Sequence, residues 1–408
     1  MDYREIAALT KTDSFKLATL PEETRNGALA DIARALESAK DDIFAANAED
    51  MAAAEADGLP APIIGRLKFD QHKLDDCIQG IRDLIGLPDP LFKTLLTRQL
   101  DEGLILRKTT CPIGVIGVIF ESRPDALVQI SSLCIKSGNC AILKGGSEAK
   151  KTNKALFDVI YKAGTAAGLP QHFAFLVEDR AAIDELLKCD ESIDLIIPRG
   201  SNQFVQYIMA NSRIPVMGHA DGICHVYVDK AADLEKAVPI IVDSKTQYVA
   251  ACNAMETLLI HKDVADDLVK KVLEASPVDI EVREDEYREF LDYIMTVKRV
   301  ANIEEAIAHI NKYGSHHTDC IITEDEAAAK KFMDFVDSAG VYCNCSTRFA
   351  DGYRYGFGAE VGISTGKLHA RGPVGLEGLV TYKYRLQGDG HIVGDYASGK
   401  KTFKFKDL

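Results

Sequence analysis

At 408 residues the chain is too long for one ordinary domain, and 47% hydrophobic with 27% charged residues is the composition of a globular protein with material for a large core. Lys and Arg number 48 against 62 Asp and Glu, a net charge of −14. That argues against nucleic acid or an anionic membrane as the main partner, since a protein that tracks phosphates presents a basic face. The charged start DYREIAALTKTDSF has no signal-peptide core, and no apolar run reaches the ~18 residues of a membrane span, so a cytoplasmic protein is expected.

The first hundred residues read as helix after helix. IAALTKTDSFKLATL, EETRNGALADIARALESAKDDIFAANAEDMAAAEADG and KLDDCIQGIRDLIGL space apolar residues three and four apart, with breaks at DGLPAP and GLPDP. From Gly103 the texture changes: GLILRKTTCPIGVIGVIFE alternates and is β-branched, with turn signals at Pro112 and Gly114. CAILKGG then reads as a strand, SEAKKTNKALFDVIYKAGTAAG as a helix and HFAFLVE as a strand. AAIDELLKCD is a helix, DLIIP a strand, SNQFVQYIMANS a helix and PVMGHADGICHVYVD another strand. Strand and helix alternating at this pace predict a parallel, doubly wound α/β sheet, which binds ligands at the carboxyl ends of its strands.

Past residue 230 a second α/β unit is expected, with CIIT and GVYCN as strands. The tail FADGYRYGFGAEVGISTGKLHARGPVGLEGLVTYKYRLQGDG is Gly-rich and reads as an ordered loop leading to the strand TYKYRL.

The ten cysteines are Cys77, Cys111, Cys134, Cys140, Cys189, Cys224, Cys252, Cys320, Cys343 and Cys345. They suit a disulfide framework only in a small secreted protein, so reduced, buried residues are expected for most. The CxC of VYCNCS has no second pair at zinc spacing and reads as two strand residues on one face.

Several residues could carry chemistry. Cys252 in QYVAACNAMETLLIH is either a nucleophile or a small core residue; Ala250 and Ala251 leave room beside it, and Asn253 offers an amide donor to an oxyanion. Lys144 and Glu148, at a strand end and in the next helical turn, suit a phosphate and a ribose, or an ordinary cap. Arg199, Gly200 and Ser201 form a second such turn, with Arg199 available to a 2′-phosphate. His219 and His225 lack partners at metal-ligand spacing, and no metal site is expected. Arg348, Arg354, Lys367, His369 and Arg371 gather positive charge in the tail, as a carboxylate or phosphate substrate would require.

Three long stretches carry a resemblance over nearly the whole chain: CPIGVIGVIFESRPDALVQISSLCIKSGNCAILKGGSEA, AACNAMETLLIH and STRFADGYRYGFGAEVGISTGKLHARGPVGLEGLVTYKY. The chain is similar to the aldehyde dehydrogenase superfamily and, within it, to the γ-glutamyl phosphate reductases. The resemblance implies an aldehyde-dehydrogenase-like α/β fold. A doubly wound cofactor domain would span 1–103 and 117–230, an α/β catalytic domain 231–374, and a small β oligomerisation extension 104–116 and 375–408. It implies NADPH-dependent reduction of L-glutamyl 5-phosphate to L-glutamate 5-semialdehyde and phosphate, the second step of proline biosynthesis.

On that resemblance Cys252 is the nucleophile that forms a thioacyl enzyme, and Asn253 or Ser122 of the FESRP turn stabilises the oxyanion. Lys144 and Glu148 hold the adenosine ribose, Gly200 and Ser201 lie at the phosphate-side turn, and Glu289 grips the nicotinamide ribose. Arg348, His369 and Arg371 are the expected substrate-binding residues. Expected partners are the substrate, further copies of the chain in a homo-oligomer, and a separate glutamate kinase, because the chain opens directly on reductase-like helices.

Two departures stand out. Where hydrolytic relatives carry a water-activating glutamate, this chain has Gly218-His219-Ala220-Asp221, and the superfamily's asparagine oxyanion donor is not plainly present in FESRP. The competing readings are a CoA-acylating or hydrolytic aldehyde dehydrogenase, or a catalytically dead oligomer that keeps the fold.

Overall fold

A computed structural model describes residues 2–179, 182–218, 221–358 and 360–408. The chain divides into two compact units, one of Met1–Arg199, Asn211–Val216 and Gly375–Leu408, the other of Gly200–Ala210 and Met217–Val374.

The first unit opens on five helices, Tyr3–Leu17, Glu22–Ser38, Lys40–Ala56, Ala61–Leu67 and Gln71–Gly86. Asp2 and Asp70 cap the first and last of these by accepting from Arg4 N and Lys73 N, which satisfies otherwise orphaned amides. Their apolar stripes, including Leu29, Ile32, Leu36, Leu74, Ile78 and Ile81, are buried. Helix Glu22–Ser38 packs against Gln71–Gly86 and against the later helix Lys150–Ala166.

Behind these helices runs a parallel sheet in the order Ala174–Leu176, Cys140–Lys144, Val115–Phe120, Leu195–Arg199. Every residue of Val115–Phe120 and Cys140–Lys144 is buried. That is why VIGVIF and CAILK read as continuous apolar runs: both faces of the sheet are covered.

The helical reading of the first hundred residues fails at its end. Thr94–Asp101 is a strand, joined to Leu104–Pro112 as an antiparallel hairpin that turns at Gly103, whose φ is +74°. The helix signal breaks at GLPDP, and TLLTRQLD beyond it, short and mixed in Leu and Thr, takes the strand state from its partner. This hairpin pairs with Val380–Gln387 on one side and Lys406–Asp407 on the other, in register Tyr382↔Thr110, Tyr384↔Lys108 and Leu386↔Leu106.

The second unit holds a six-stranded parallel sheet in the order Gly340–Cys343, Thr318–Ile322, Cys224–Val228, Met255–His261, Ile294–Val300, Glu281–Arg283. Alternating side chains serve two cores. Val226, Leu258 and Met295 pack with Ile241 and Val272 of helices Leu234–Thr246 and Leu268–Ala275. On the other face Tyr227, Leu259 and Ile321 pack with Ile310 and Phe332 of helices Ile303–Tyr313 and Glu326–Phe335.

Strand Cys224–Val228 lies in the middle of this sheet, so the unit boundary falls near Met217 rather than after residue 230. The Gly-rich tail contains a short hairpin, Gly362–Ser364 with Gly372–Val374. All ten cysteines are free, six buried and four half-buried. Cys345 lies beyond the strand that Cys343 ends, because Asn344 turns the chain with a φ of +55°. No helix of the described residues is long and apolar enough to cross a membrane.

Candidate active site

In the first unit the strand order places Val115–Phe120 between two neighbours whose connections leave in opposite directions, the arrangement that opens a crevice at the strands' carboxyl ends. Lys144 ends one strand there; it is 4% exposed, and its Nζ donates to the Gly145 carbonyl. The Glu148 carboxylate accepts from Ser122 N at 2.6 Å and Ser122 Oγ at 2.7 Å. A Cβ on Gly146 would overlap that carboxylate, so a larger residue there would push Glu148 out of this position.

Ser122, with φ at +48°, is thus held on Glu148, and both its donors point to a carboxylate rather than to an oxyanion. These residues fit a nicotinamide dinucleotide. A buried ammonium and a carboxylate at strand ends, with two glycines between them, offer charge to phosphate and an acceptor to a ribose diol.

The second unit uses the opposite end of its sheet. Cys252 sits in the loop between helix Leu234–Thr246 and strand Met255–His261, and Gly222, Cys252 and His317 each precede a strand. The carboxyl-end rule therefore does not extend to the cysteine.

Three contacts hold the Cys252 loop. A Cβ on Gly222 would collide with the Cys252 backbone, so only glycine allows this approach. Cys224 Sγ donates to the Cys252 carbonyl at 3.3 Å, and burial pushes this thiol far above the ordinary range, which leaves it an inert donor. Asn253 Nδ2 donates to the Ala350 carbonyl at 2.8 Å. That engages one of the two Nδ2 hydrogens, and the Asn253 backbone N–H is a second candidate donor to an oxyanion.

The residue that most changes the standing of Cys252 is one the sequence reading passed over. His317 Nε2 lies 3.2 Å from Cys252 Sγ, while its Nδ1 lies 2.9 Å from Thr318 Oγ1. With the proton on Nδ1 shared to Thr318, Nε2 turns a lone pair toward the thiol. The available signal was the polar pair His316-His317 before the apolar strand in HHTDCIIT. His219 and Ala220 lie outside the described residues. His225 is fully buried with Nδ1 2.9 Å from Asp319 Oδ1, a structural pairing.

Glu289 reaches the Gly222 backbone that packs on Cys252. Its Oε1 accepts from Gly222 N at 3.0 Å and its Oε2 from Asn202 Nδ2 at 2.8 Å. Asn202 also donates to Asp221, whose carboxylate is thereby engaged. Asn202 opens the helix that follows Gly200 and Ser201, where the Ser201 carbonyl accepts from Val205 N.

The basic residues of the tail separate into two groups. Arg371 Nη2 lies 3.1 Å from Asp337 Oδ1 and Lys367 Nζ 2.7 Å from Asp337 Oδ2, so both are held on that carboxylate. His369 is exposed on the same hairpin's connection. Arg348 turns inward: Nε donates to Gln247 Oε1 at 2.9 Å, and its carbonyl accepts from Arg354 Nη1 at 2.6 Å. Among the described residues no group of three or more His, Cys, Asp or Glu side chains could hold a metal ion.

The sequence profile of the aldehyde dehydrogenase family matches residues 2–285. A gamma-glutamyl phosphate reductase of Pelotomaculum thermopropionicum is 56% identical, with 100% of this chain and 98% of that protein covered. The crystal structure of gamma-glutamyl phosphate reductase from Thermotoga maritima superposes with a TM-score of 0.93 at 36% identity, over 96% of this chain and 100% of that one. An acetylating aldehyde dehydrogenase from Geobacillus thermoglucosidasius shares the fold, with a TM-score of 0.68 at 18% identity over 95% and 97% of the two chains. The chain therefore belongs to the aldehyde dehydrogenase family and, within it, to the gamma-glutamyl phosphate reductases.

Proposed function

We propose that the chain reduces L-glutamyl 5-phosphate to L-glutamate 5-semialdehyde and phosphate with NADPH, through a thioacyl enzyme on Cys252. The observation that carries the assignment of the nucleophile is the 3.2 Å approach of His317 Nε2 to Cys252 Sγ. His317 takes the thiol proton, and the sulfur attacks C5 of the acyl phosphate. The C5–O bond breaks with its electron pair on the departing phosphate, leaving the thioester. The cofactor, when bound, supplies a hydride to the thioester carbon. The carbonyl then re-forms, the C–S bond breaks, and His317 returns the proton to sulfur. The Asn253 backbone N–H serves the oxyanion in both tetrahedral states.

Lys144 and Glu148 hold the adenosine ribose in this reading, Gly200 and Ser201 the phosphate side, and Glu289 the nicotinamide ribose. Glu289 accepts from Gly222, which itself packs on the Cys252 backbone, so ribose binding and the cysteine loop share one support. The one carboxylate in the Gly218–Asp221 stretch, Asp221, is engaged by Asn202, which favours a thioester protected from water over a hydrolytic enzyme.

The test runs the reaction backwards, with glutamate 5-semialdehyde, phosphate and NADP⁺, following NADPH absorbance. Wild type is expected to need phosphate and to prefer NADP⁺ over NAD⁺, and Cys252→Ala to be inactive. Turnover without phosphate sinks the reaction, and an active alanine variant sinks the nucleophile. We further propose a homo-oligomer built through the β extension, and association with a separate glutamate kinase that hands over the labile acyl phosphate. Absence of co-migration of the two enzymes at micromolar concentrations counts against that association.

A further inference from the structure

Arg348 is 7% exposed, and its Nη1 has no hydrogen-bond partner. No carboxylate lies within ion-pair distance of it among the described residues, in a chain with 62 acidic side chains. Buried charges in proteins are ordinarily paired, and an unpaired one is costly to keep. Arg354 worsens the position: its guanidinium donates to the Arg348 carbonyl and adds a second positive charge beside it. A buried arginine held in this way is a seat for an anion.

The anion must arrive beside Cys252, because the Arg348 turn is tied to the cysteine loop at three points. Arg348 Nε binds Gln247, five residues before the cysteine; the Ala350 carbonyl binds Asn253, one residue after it; and Ser346 Oγ lies 3.2 Å from Ser244 Oγ in the preceding helix. Burial and Arg354 lower the arginine's hold on its proton, while the Cys252 sulfur, Asp351 and Asp243 raise it, none of the three within hydrogen-bond distance of Nη1.

We propose that Arg348, through Nη1 and with Arg354 behind it, is the seat of the phosphoryl group of the acyl phosphate. The inference rests on the reaction proposed above and assigns one group of its substrate. As the C5–O bond breaks, charge builds on the phosphate oxygen that takes the electron pair, and the Nη1 N–H donates to it. A guanidinium matches phosphate geometry, and two adjacent cations suit a dianion better than the single charge of an α-carboxylate. Lys367 and Arg371, being engaged with Asp337, are not part of this seat.

The test uses the full chain and inorganic phosphate. In the reverse assay, Arg348→Gln is expected to raise the KM for phosphate at least tenfold while the KM for semialdehyde stays within about twofold, and Arg348→Lys to fall between. Phosphate titrated into wild type should raise its unfolding temperature, and this rise should vanish in Arg348→Gln; that readout needs no turnover. If wild type itself oxidises the semialdehyde without phosphate, the proposed reaction fails and this inference with it. If wild type is phosphate-dependent but Arg348→Gln raises only the semialdehyde KM, the arginine holds the α-carboxylate and the inference alone is overturned. Unchanged phosphate KM and unchanged phosphate stabilisation overturn it as well.

Discussion

A free thiol is mostly protonated at neutral pH, so a cysteine nucleophile needs a base within reach. His317 Nε2 supplies that base at 3.2 Å from Cys252. Replacing it by Gln keeps a polar side chain of comparable reach but no proton acceptor. His317→Gln is expected to lower kcat by roughly 10²–10⁴-fold, with activity recovering as pH is raised and the thiol ionises unaided. A kcat–pH profile superimposable on wild type would show that the histidine only packs. A second histidine has a different part. Burial pushes His309 down to about 4 from 6.5, with His225, Lys298 and Lys312 adding to the shift and Asp285 opposing it. The fold therefore prefers the neutral ring, and below pH 6.5 the unfolded chain binds the proton first. Stability owed to this group is complete above about pH 6.5 and is lost toward pH 4, at up to about 1.4 kcal/mol per pH unit. Urea midpoints measured from pH 7 to 4.5 should fall for wild type and flatten in His309→Phe; parallel curves would assign the loss elsewhere.

Between residues and fold stands the loop that carries the cysteine, and its two ends are joined. Lys245 in the last turn of helix Leu234–Thr246 and Glu256 in strand Met255–His261 form an ion pair of 2.6 Å, both fully buried. Burial lifts Glu256 to about 7 against the pull of Lys245, and the same burial lowers Lys245. Removing one partner leaves the other charge buried alone, so Lys245→Met is expected to cost about 3–5 kcal/mol. Lys245→Met with Glu256→Leu should regain most of that stability. The double variant should still show a depressed kcat if the pair also fixes the loop, whereas full kcat would mark the pair as scaffold only. Helices and parallel strands were legible because spacing of three and four or a fully apolar run reflects local packing, as in EETRNGALADIARALES or VIGVIF. Lys245–Glu256 and Cys252–His317 were not: the first depends on how a helix packs on the strand that follows it, and the second on which strands the topology makes neighbours. Strand Thr318–Ile322 enters the sheet beside Cys224–Val228, nearly a hundred residues earlier in the chain, and no local pattern announces that pairing.

At the scale of the molecule, the antiparallel sheet of the first unit ends, among the described residues, in the edge strand Val380–Gln387, which pairs with Leu104–Pro112. Tyr382, Tyr384 and Leu386 alternate along it, at 47%, 59% and 57% exposure. An unpaired edge bearing an apolar row templates association unless something covers it. The strand could be read from TYKYRL, and its place in one β extension with residues 104–116 was implied by resemblance. The onset of that hairpin at Thr94 was not, since Leu and Thr in TLLTRQLD suit either state until a partner strand decides. A second copy of the same edge is the occupant that the homo-oligomer reading requires. Tyr384→Asp with Leu386→Asp places two charges on that row without touching the Cys252 loop or the core. Light scattering is expected to show wild type at a multiple of the chain mass and the variant displaced toward the single chain, with an unfolding temperature lower and less dependent on protein concentration than that of wild type. A wild type that runs as one chain at micromolar concentration, or a double variant that keeps its mass, would remove the extension from assembly. The aromatic row would then need another occupant.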